Sequence, residues 1–224
     1  MAQPAIVSTA LLHNVPLFAG LDEDQLSLLV KTVVRKSYAR GVTVIAAGDP
    51  TDSLYIVISG RLKVLMGDAQ GREVILSILG ASEFFGEMGL LDDSPRSATV
   101  VTLEPSELLS ISKADFKRSL AENFELSLIL MRGLVKRLRE ADQKIGSLAL
   151  MDVYGRVARL LLEMAEDVNG EKIVVNKVSK QDIAKMIGAS REMVSRVMKD
   201  LQIGGYIEVR GRSIVLRDNI VLAE

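Results

Sequence analysis

The chain has 224 residues, 48% of them hydrophobic and 25% charged, with a net charge of −1. That balance suits one large or two small domains with sizeable cores and excludes a disordered chain. There is no cysteine, which excludes disulfides, thiolate metal sites, a cysteine-held iron–sulfur cluster and cysteine catalysis. The single histidine, His13, cannot build a multi-histidine metal site, and a partly exposed polar residue is its simpler reading than a haem or metal ligand. No metal, haem or iron–sulfur cofactor is therefore expected.

The first residues, MAQPAIVSTALLHNVPLFAG, have no basic start and an apolar run broken by polar residues and prolines, so no signal peptide is expected. No stretch approaches the roughly 18 apolar residues of a membrane span. A cytoplasmic protein without a membrane partner is expected.

Residues 20–33, GLDEDQLSLLVKTV, predict a short helix with acidic residues in the first turn, where the helix dipole favours them. From about 36 to 111 short β-rich runs follow: VTVIAA, SLYIVISG, RLKVLMG, EVILSIL, SATVVTL and SELLSIS. Gly41, Gly48, Gly60, Gly67, Gly71 and Gly80 punctuate them. Short strands at roughly 8–12-residue spacing predict an antiparallel barrel or roll. Within this region FFGEMGLLDDSPRSATV (84–100) brings Gly86 and Glu87 close in sequence to Arg96 and Ser97. Such a mixture fits a solvated loop or a pocket for a molecule bearing hydroxyls and a phosphate.

Ser112 and Asp115 then form a capping-box arrangement at a helix start. Helical pattern continues for about 25 residues, with Met131, Leu134, Leu138, Ala141, Ile145 and Leu148 spaced 3, 4, 3, 4, 3. That is the a/d seam of a coiled coil and predicts a homodimer. In a parallel pair Arg137 takes a g position and Asp142 the e position five residues on, where they can bridge between chains. An apolar stripe packed on the chain's own roll is the alternative. Gly146 to Asp152 reads as a hinge. VYGRVARLLLEMAEDVNG reads as an amphipathic helix stopped by Asn169-Gly170, itself a hairpin dipeptide, and KIVVNKV as a strand.

SKQDIAKMIGASREMVSRVMKDLQIGGYIEV predicts a helix-turn-helix. Ser179 caps a first helix ending near Ile187, Gly188 makes the turn, and Ser190 caps a second helix. GYIEVRGRSIVL reads as two strands about Gly211-Arg212, a wing. Between Lys177 and Arg217 there are nine Lys/Arg and four Asp/Glu, a net of +5 against about −6 for the rest. A basic end on an acidic chain points to double-stranded DNA. The second helix would enter the major groove with Ser190, Arg191, Glu192, Val194, Ser195 and Arg196 toward base edges. Arginine offers a fork to guanine and glutamate accepts from cytosine N4. Ser179, Lys180, Gln181 and Lys199 would serve phosphates. A winged-helix protein-interaction module is the alternative.

A small β-roll, a long dimer helix and a winged helix-turn-helix, in that order, resemble the catabolite activator/fumarate-nitrate regulator (CRP/FNR) family, from about residue 15 onward. FGEMGLLDDSPRSATV is similar to the family's phosphate-binding cassette, and ASREMVSRVMKDL to the recognition helix of its cyclic-AMP receptor branch. The resemblance implies an α+β protein: an antiparallel β-roll of the cyclic-nucleotide-binding fold over 15–124, a dimerisation helix and hinge over 125–150, and a winged helix-turn-helix over 151–224. It assigns the ligand to Gly86, Glu87, Met88, Arg96, Ser97 and Ala98. Glu87 would accept the ribose 2′-hydroxyl, Arg96 would neutralise the cyclic phosphate and Ser97 would donate to it. An internal Glu87–Arg96 pair is the structural alternative. The branch's Thr-Ser pair for adenine is replaced here by Ala141-Asp142. Ala141 and Asp142 complete the candidate ligand set: an ionised Asp142 can accept an amino proton from adenine, or an amino or N1 proton from guanine, or else pair with Arg137 of a partner chain, which leaves cyclic AMP and cyclic di-GMP both open as the effector.

The resemblance further implies TGTGA-like palindromic half-sites and RNA polymerase as a partner. A cyclic-nucleotide regulatory subunit that does not act on DNA, a ligand-independent regulator and an enzyme are the alternatives. Without a GxSxG elbow, and with His13 as the one histidine, no catalytic residue is assigned.

Overall fold

A computed structural model describes residues 7–175 and 178–217. Contacts divide the chain into two compact units, 1–137 and 138–224.

In the first unit, α1 (Thr9–His13), a 3₁₀ turn (Pro16–Phe18) and α2 (Glu23–Val30) precede the strands. α2 begins where the acidic run predicted: the Asp22 carboxylate accepts from the Gln25 amide at 2.8 Å and the Gln25 side chain answers at the Asp22 amide. Eight strands follow: β1 (Val34–Tyr38), β2 (Thr43–Ile45), β3 (Ser53–Ser59), β4 (Leu62–Gly67), β5 (Glu73–Leu79), β6 (Phe84–Phe85), β7 (Thr99–Thr102) and β8 (Ser106–Ser112). A one-turn helix α3 (Met88–Leu91) stands between β6 and β7. The strands form two antiparallel sheets, ordered β1-β8-β3-β6 and β2-β7-β4-β5.

β3 explains why its sequence reads as an unbroken apolar run. Alternate residues serve two different cores. Leu54 and Ile56, with Leu109 and Ile111 of β8, face a cluster containing Leu12, Phe18, Leu26, Phe116 and Leu130. Tyr55 and Val57, with Leu108, face the roll interior among Leu62, Phe85 and Val100. A strand covered on both faces loses the apolar/polar alternation of a half-exposed one.

α4 (Lys113–Glu122) and α5 (Phe124–Leu150) follow. Ser112 accepts from the Asp115 amide at 3.1 Å, as the cap predicted. The expected hinge is shorter than its sequence suggested. Gly146 lies within α5, and the break falls at Met151 and Asp152, where the Asp152 side chain caps the next helix. One glycine weakens a 27-residue helix without ending it.

The second unit holds α6 (Val153–Met164), β9 (Glu166–Val168), β10 (Glu171–Val174), α7 (Lys180–Ile187), α8 (Arg191–Ile203), β11 (Ile207–Arg210) and β12 (Ser213–Leu216), its sheet ordered β11-β12-β10-β9. Here α6 ends well before the Asn169-Gly170 stop predicted from sequence. Glu166–Val168 pairs instead with Glu171–Val174. Asn169 and Gly170 have φ of 55° and 82°, so they form the hairpin tip. Two positive φ values in a two-residue loop match the twist of flanking strands, and that requirement overrode the helical pattern. Asn176 and Lys177, at the end of the expected strand, lie outside the described residues.

Candidate functional site

The cassette between β6 and β7 is held from inside the roll. Phe85 pairs with Tyr55 across β6 and β3, and their rings stack at 5.2 Å. Gly86 then turns the chain with φ of 83°. A Cβ there would be strained by that angle and would collide with the Arg96 guanidinium, so only glycine lets the arginine lie this close. Arg96 is bracketed by backbone: its amide donates to Asp49 O at 2.9 Å and its carbonyl accepts from Gly48 at 2.8 Å.

Arg96 is 5% exposed and Glu87 2%. Two buried charges need partners, and each has one. The Arg96 guanidinium donates to Gly86 O at 2.9 Å, Ser53 O at 2.8 Å and Asp52 Oδ1 at 3.1 Å, and lies 5.9 Å from the Tyr55 ring centroid. Glu87 Oε1 accepts from Arg137 Nη1 at 2.6 Å. Arg137 also donates to Phe84 O and covers the Phe84 ring at 4.7 Å. The internal Glu87–Arg96 pair weighed from sequence is therefore replaced by two others, Glu87–Arg137 and Arg96–Asp52. Arg137, given a g position by the heptad spacing, has its guanidinium engaged within its own chain.

The remaining cassette residues are arranged around these pairs. Met88 and Ser97 are exposed, and the Ser97 hydroxyl lies 3.6 Å from Met88 Sδ. Ala98 is buried. Asp93 clamps the loop to α4 through Lys113 at 2.6 Å and Lys117 at 2.9 Å. Those ammonium groups hold its carboxyl down at about 2. Ser53 and Arg96 hold the Asp52 carboxyl below its usual range. Sequence reasoning missed Asp52, Ser53 and Arg137. The first two sit more than forty residues before Arg96, and no local pattern links them.

Along α5, Met131, Leu138, Ala141, Ile145 and Leu148 are exposed, and Leu134 packs partly against the helical cluster. Leu138 and Ile145 are 61% and 64% exposed. Asp142 is exposed too.

In the second unit α7 and α8 form the predicted helix-turn-helix. Ser179 accepts from the Asp182 amide at 3.0 Å, and Ser190 from the Met193 amide at 3.1 Å. Gly188 closes α7 with φ of 63°. Ala184 and Val194 are buried where the helices meet. Val194 consequently cannot face bases; its side chain is wholly buried with Val197, Met198 and Leu201. Arg191, Glu192, Arg196 and Lys199 are exposed, Ser195 is half-buried, and Lys180 and Gln181 lie exposed in the first turn of α7. Arg196 and Lys199 take part in no ion pair among the described residues. In the wing, Arg210 and Arg217 both pair with Glu171 and Glu208, while Gly211-Arg212 forms the exposed turn.

Residues 35–123 match the cyclic nucleotide-binding domain family and residues 155–224 the Crp-like helix-turn-helix domain family. The chain belongs to the CRP/FNR family. Curated relatives match over four fifths of the chain or more. One is a "CRP-like cAMP-activated global transcriptional regulator" of Mycobacterium tuberculosis, 33% identical over 217 residues, covering 95% of this chain and 97% of the relative. Another is the "cAMP-activated global transcriptional regulator Vfr" of Pseudomonas aeruginosa, 36% identical, covering 81% and 88%. Among solved structures, the c-di-GMP responsive global regulator CLP of Xanthomonas campestris superposes with a TM-score of 0.75 at 30% identity, covering 88% of this chain and all of that one. The observed order of antiparallel roll, long helix and helix-turn-helix is the CRP/FNR fold expected from the sequence. No helix among the described residues is long and apolar enough to cross a membrane.

Proposed function

We propose that this CRP/FNR chain is a homodimeric, sequence-specific DNA-binding transcription regulator under allosteric control by a cyclic nucleotide. The observation that carries the reading is the adjacency of a buried arginine, Arg96, and a buried carboxylate, Glu87, across the Gly86 turn. One suits a phosphodiester and the other a ribose hydroxyl, because charge-assisted hydrogen bonds are the strong ones. Met88, Ser97 and Ala98 complete the cassette. Residues 15–124 would bind the ligand, 125–150 would dimerise through Met131, Leu134, Leu138, Ala141, Ile145 and Leu148, and 151–224 would bind DNA. The exposed seam on α5 supports the dimer, since large apolar side chains at heptad spacing gain by mutual burial.

The effector is cyclic AMP ahead of cyclic di-GMP. The matched domain and the relatives named as cAMP-activated support the first. The Ala141-Asp142 replacement at the base-contacting pair and the likeness to a c-di-GMP responsive regulator support the second. The ligand shifts the DNA-binding equilibrium only by its difference in affinity for the two dimer states. Arg191 and Arg196 would read guanines and Glu192 a cytosine in TGTGA-like half-sites about 34–36 Å apart. Ser179, Lys180, Gln181, Ser190, Ser195 and Lys199 would add phosphate and edge contacts. RNA polymerase is the partner expected of such a regulator, which performs no catalysis and works in the cytoplasm.

Calorimetric titration with cyclic AMP, cyclic GMP and cyclic di-GMP, repeated on Arg96→Ala, tests the ligand. Binding of one nucleotide that the variant loses upholds the reading; binding of none overturns it. A gel shift on a TGTGA palindrome, with and without that nucleotide, separates a ligand-controlled DNA regulator from a regulatory subunit and from a ligand-independent one.

A further inference from the structure

Beside the cassette stands one acidic group that the ligand reading leaves unexplained. Asp52 ends the loop before β3, and its side chain is 82% exposed, whereas its partner Arg96 is almost wholly buried. A structural counter-ion for a buried arginine is normally enclosed with it, because shielding from water is what strengthens the pair. Here the arginine is already held without the carboxylate. Gly86 O and Ser53 O take donors from both terminal nitrogens, and the Tyr55 ring lies beside the guanidinium. Asp52 adds a negative charge at the solvent side of the group, at 3.1 Å from Nη2, and is itself fixed by the Ser53 hydroxyl at 2.7 Å.

We propose that Asp52 is an intramolecular competitor for the ligand phosphate, which sets nucleotide affinity below what the cassette could otherwise reach. This rests on Arg96 as the phosphate-binding group. A phosphodiester carries one negative charge, as the carboxylate does, and both seek the same guanidinium. Whether the phosphate displaces Asp52 or settles beside it, the two anions lie within a few ångströms at a site screened only in part. Binding is then weaker by the repulsion or by the lost Asp52–Arg96 contact. The chain gains reversibility: a regulator that must release its effector when the concentration falls is served by moderate affinity.

Asp52→Asn separates charge from geometry. The amide oxygen still accepts from Arg96 and Ser53, so the loop keeps its shape, and the position is exposed, so folding is not at risk. Affinity of the full chain is measured calorimetrically for cyclic AMP, cyclic di-GMP and adenosine, which lacks the phosphate. The expected result is roughly fivefold to tenfold tighter binding of the charged nucleotide at low salt, the size of a repulsion between unit charges about 5 Å apart at an effective dielectric constant of about 50 to 70, close to that of water because Asp52 is exposed. The gain should shrink when salt is raised to about 1 M, and adenosine should gain nothing. Unchanged or weaker nucleotide binding by Asp52→Asn overturns the proposal and makes Asp52 a positioning group for Arg96. An equal gain for adenosine overturns it as well, since the effect would then be steric. If neither wild type nor variant binds any nucleotide, the ligand reading itself fails and takes this inference with it.

Discussion

In the cassette the charged groups are buried and held by the chain's own atoms, whereas on the recognition helix they stand in water. Glu87 and Arg96 have their hydrogen-bond partners in place through Arg137, Asp52 and two carbonyls. Arg196 and Lys199 face solvent without ion pairs among the described residues. The difference follows from the size of what each would meet. A small ligand offers few contacts, so each must be strong, and strength comes from exclusion of water. A DNA duplex offers a long row of charges, and exposed cations suffice because many act together. The α5 seam is a third arrangement, exposed and apolar, suited to a second copy of the same helix.

Replacing Arg96 with alanine should have the largest effect. It removes the cation of the cassette and leaves Gly86 O and Ser53 O without donors. Nucleotide binding should fall at least a hundredfold, and stability should drop by about 2–3 kcal/mol, read by titration and urea unfolding. Loss of binding with unchanged stability would mean that water replaces the guanidinium freely, which would break the contrast between buried and exposed charge.

Lysine at both Leu138 and Ile145 should come next. Two large apolar side chains leave the seam and like charges take their place, so the dimer should weaken by about 3–5 kcal/mol. Sedimentation velocity would register monomers. A dimer that survives would assign the seam to some other partner.

Arg196→Ala should cost roughly 1–3 kcal/mol in DNA affinity and relax preference at one base pair. In the same gel-shift series, DNA affinity should fall steeply with salt, by a log–log slope near −0.9 per phosphate neutralised. Nucleotide affinity of the cassette should fall far less, which sharpens the comparison directly. The smallest change is Ser190→Ala. It removes the cap from the Met193 amide and should cost about 1 kcal/mol of stability in the second unit, with calorimetric melting as the measure.

How much of this was visible in the sequence depended on whether the signal was local. Six of the eight roll strands announced themselves through β-branched runs between glycines. β1, with the sequence VRKSY, did not, since three of its five residues are charged or polar and most are exposed on an edge strand. β6 is two residues long, too short for any periodicity. The helix-turn-helix was legible to the residue because its signals, two serine caps and one left-handed glycine, act within three positions. The cassette was legible as a motif but not as a network. Arg137 was read along its own helix, where heptad spacing pointed to another chain, and nothing local pointed to its contact with Glu87, fifty residues away. The same locality explains the misplaced end of α6: an amphipathic period extends smoothly into a hairpin arm, and only the Asn-Gly tip shows where pairing takes over.

β3 carries one more consequence. Its odd and even side chains belong to different cores, one among helices and one inside the roll. In a strand with one solvent face, a slip by one residue moves its whole apolar set into water. Here a single-residue slip would place Leu54 and Ile56 where Tyr55 and Val57 belong and misfit both cores at once. An inserted or deleted residue between Ser53 and Val57 is therefore costly; the register shift of this strand falls beyond that stretch, between Val57 and Ser59. In the natural history of such a chain, length changes should collect in the glycine turns and leave this strand uninterrupted.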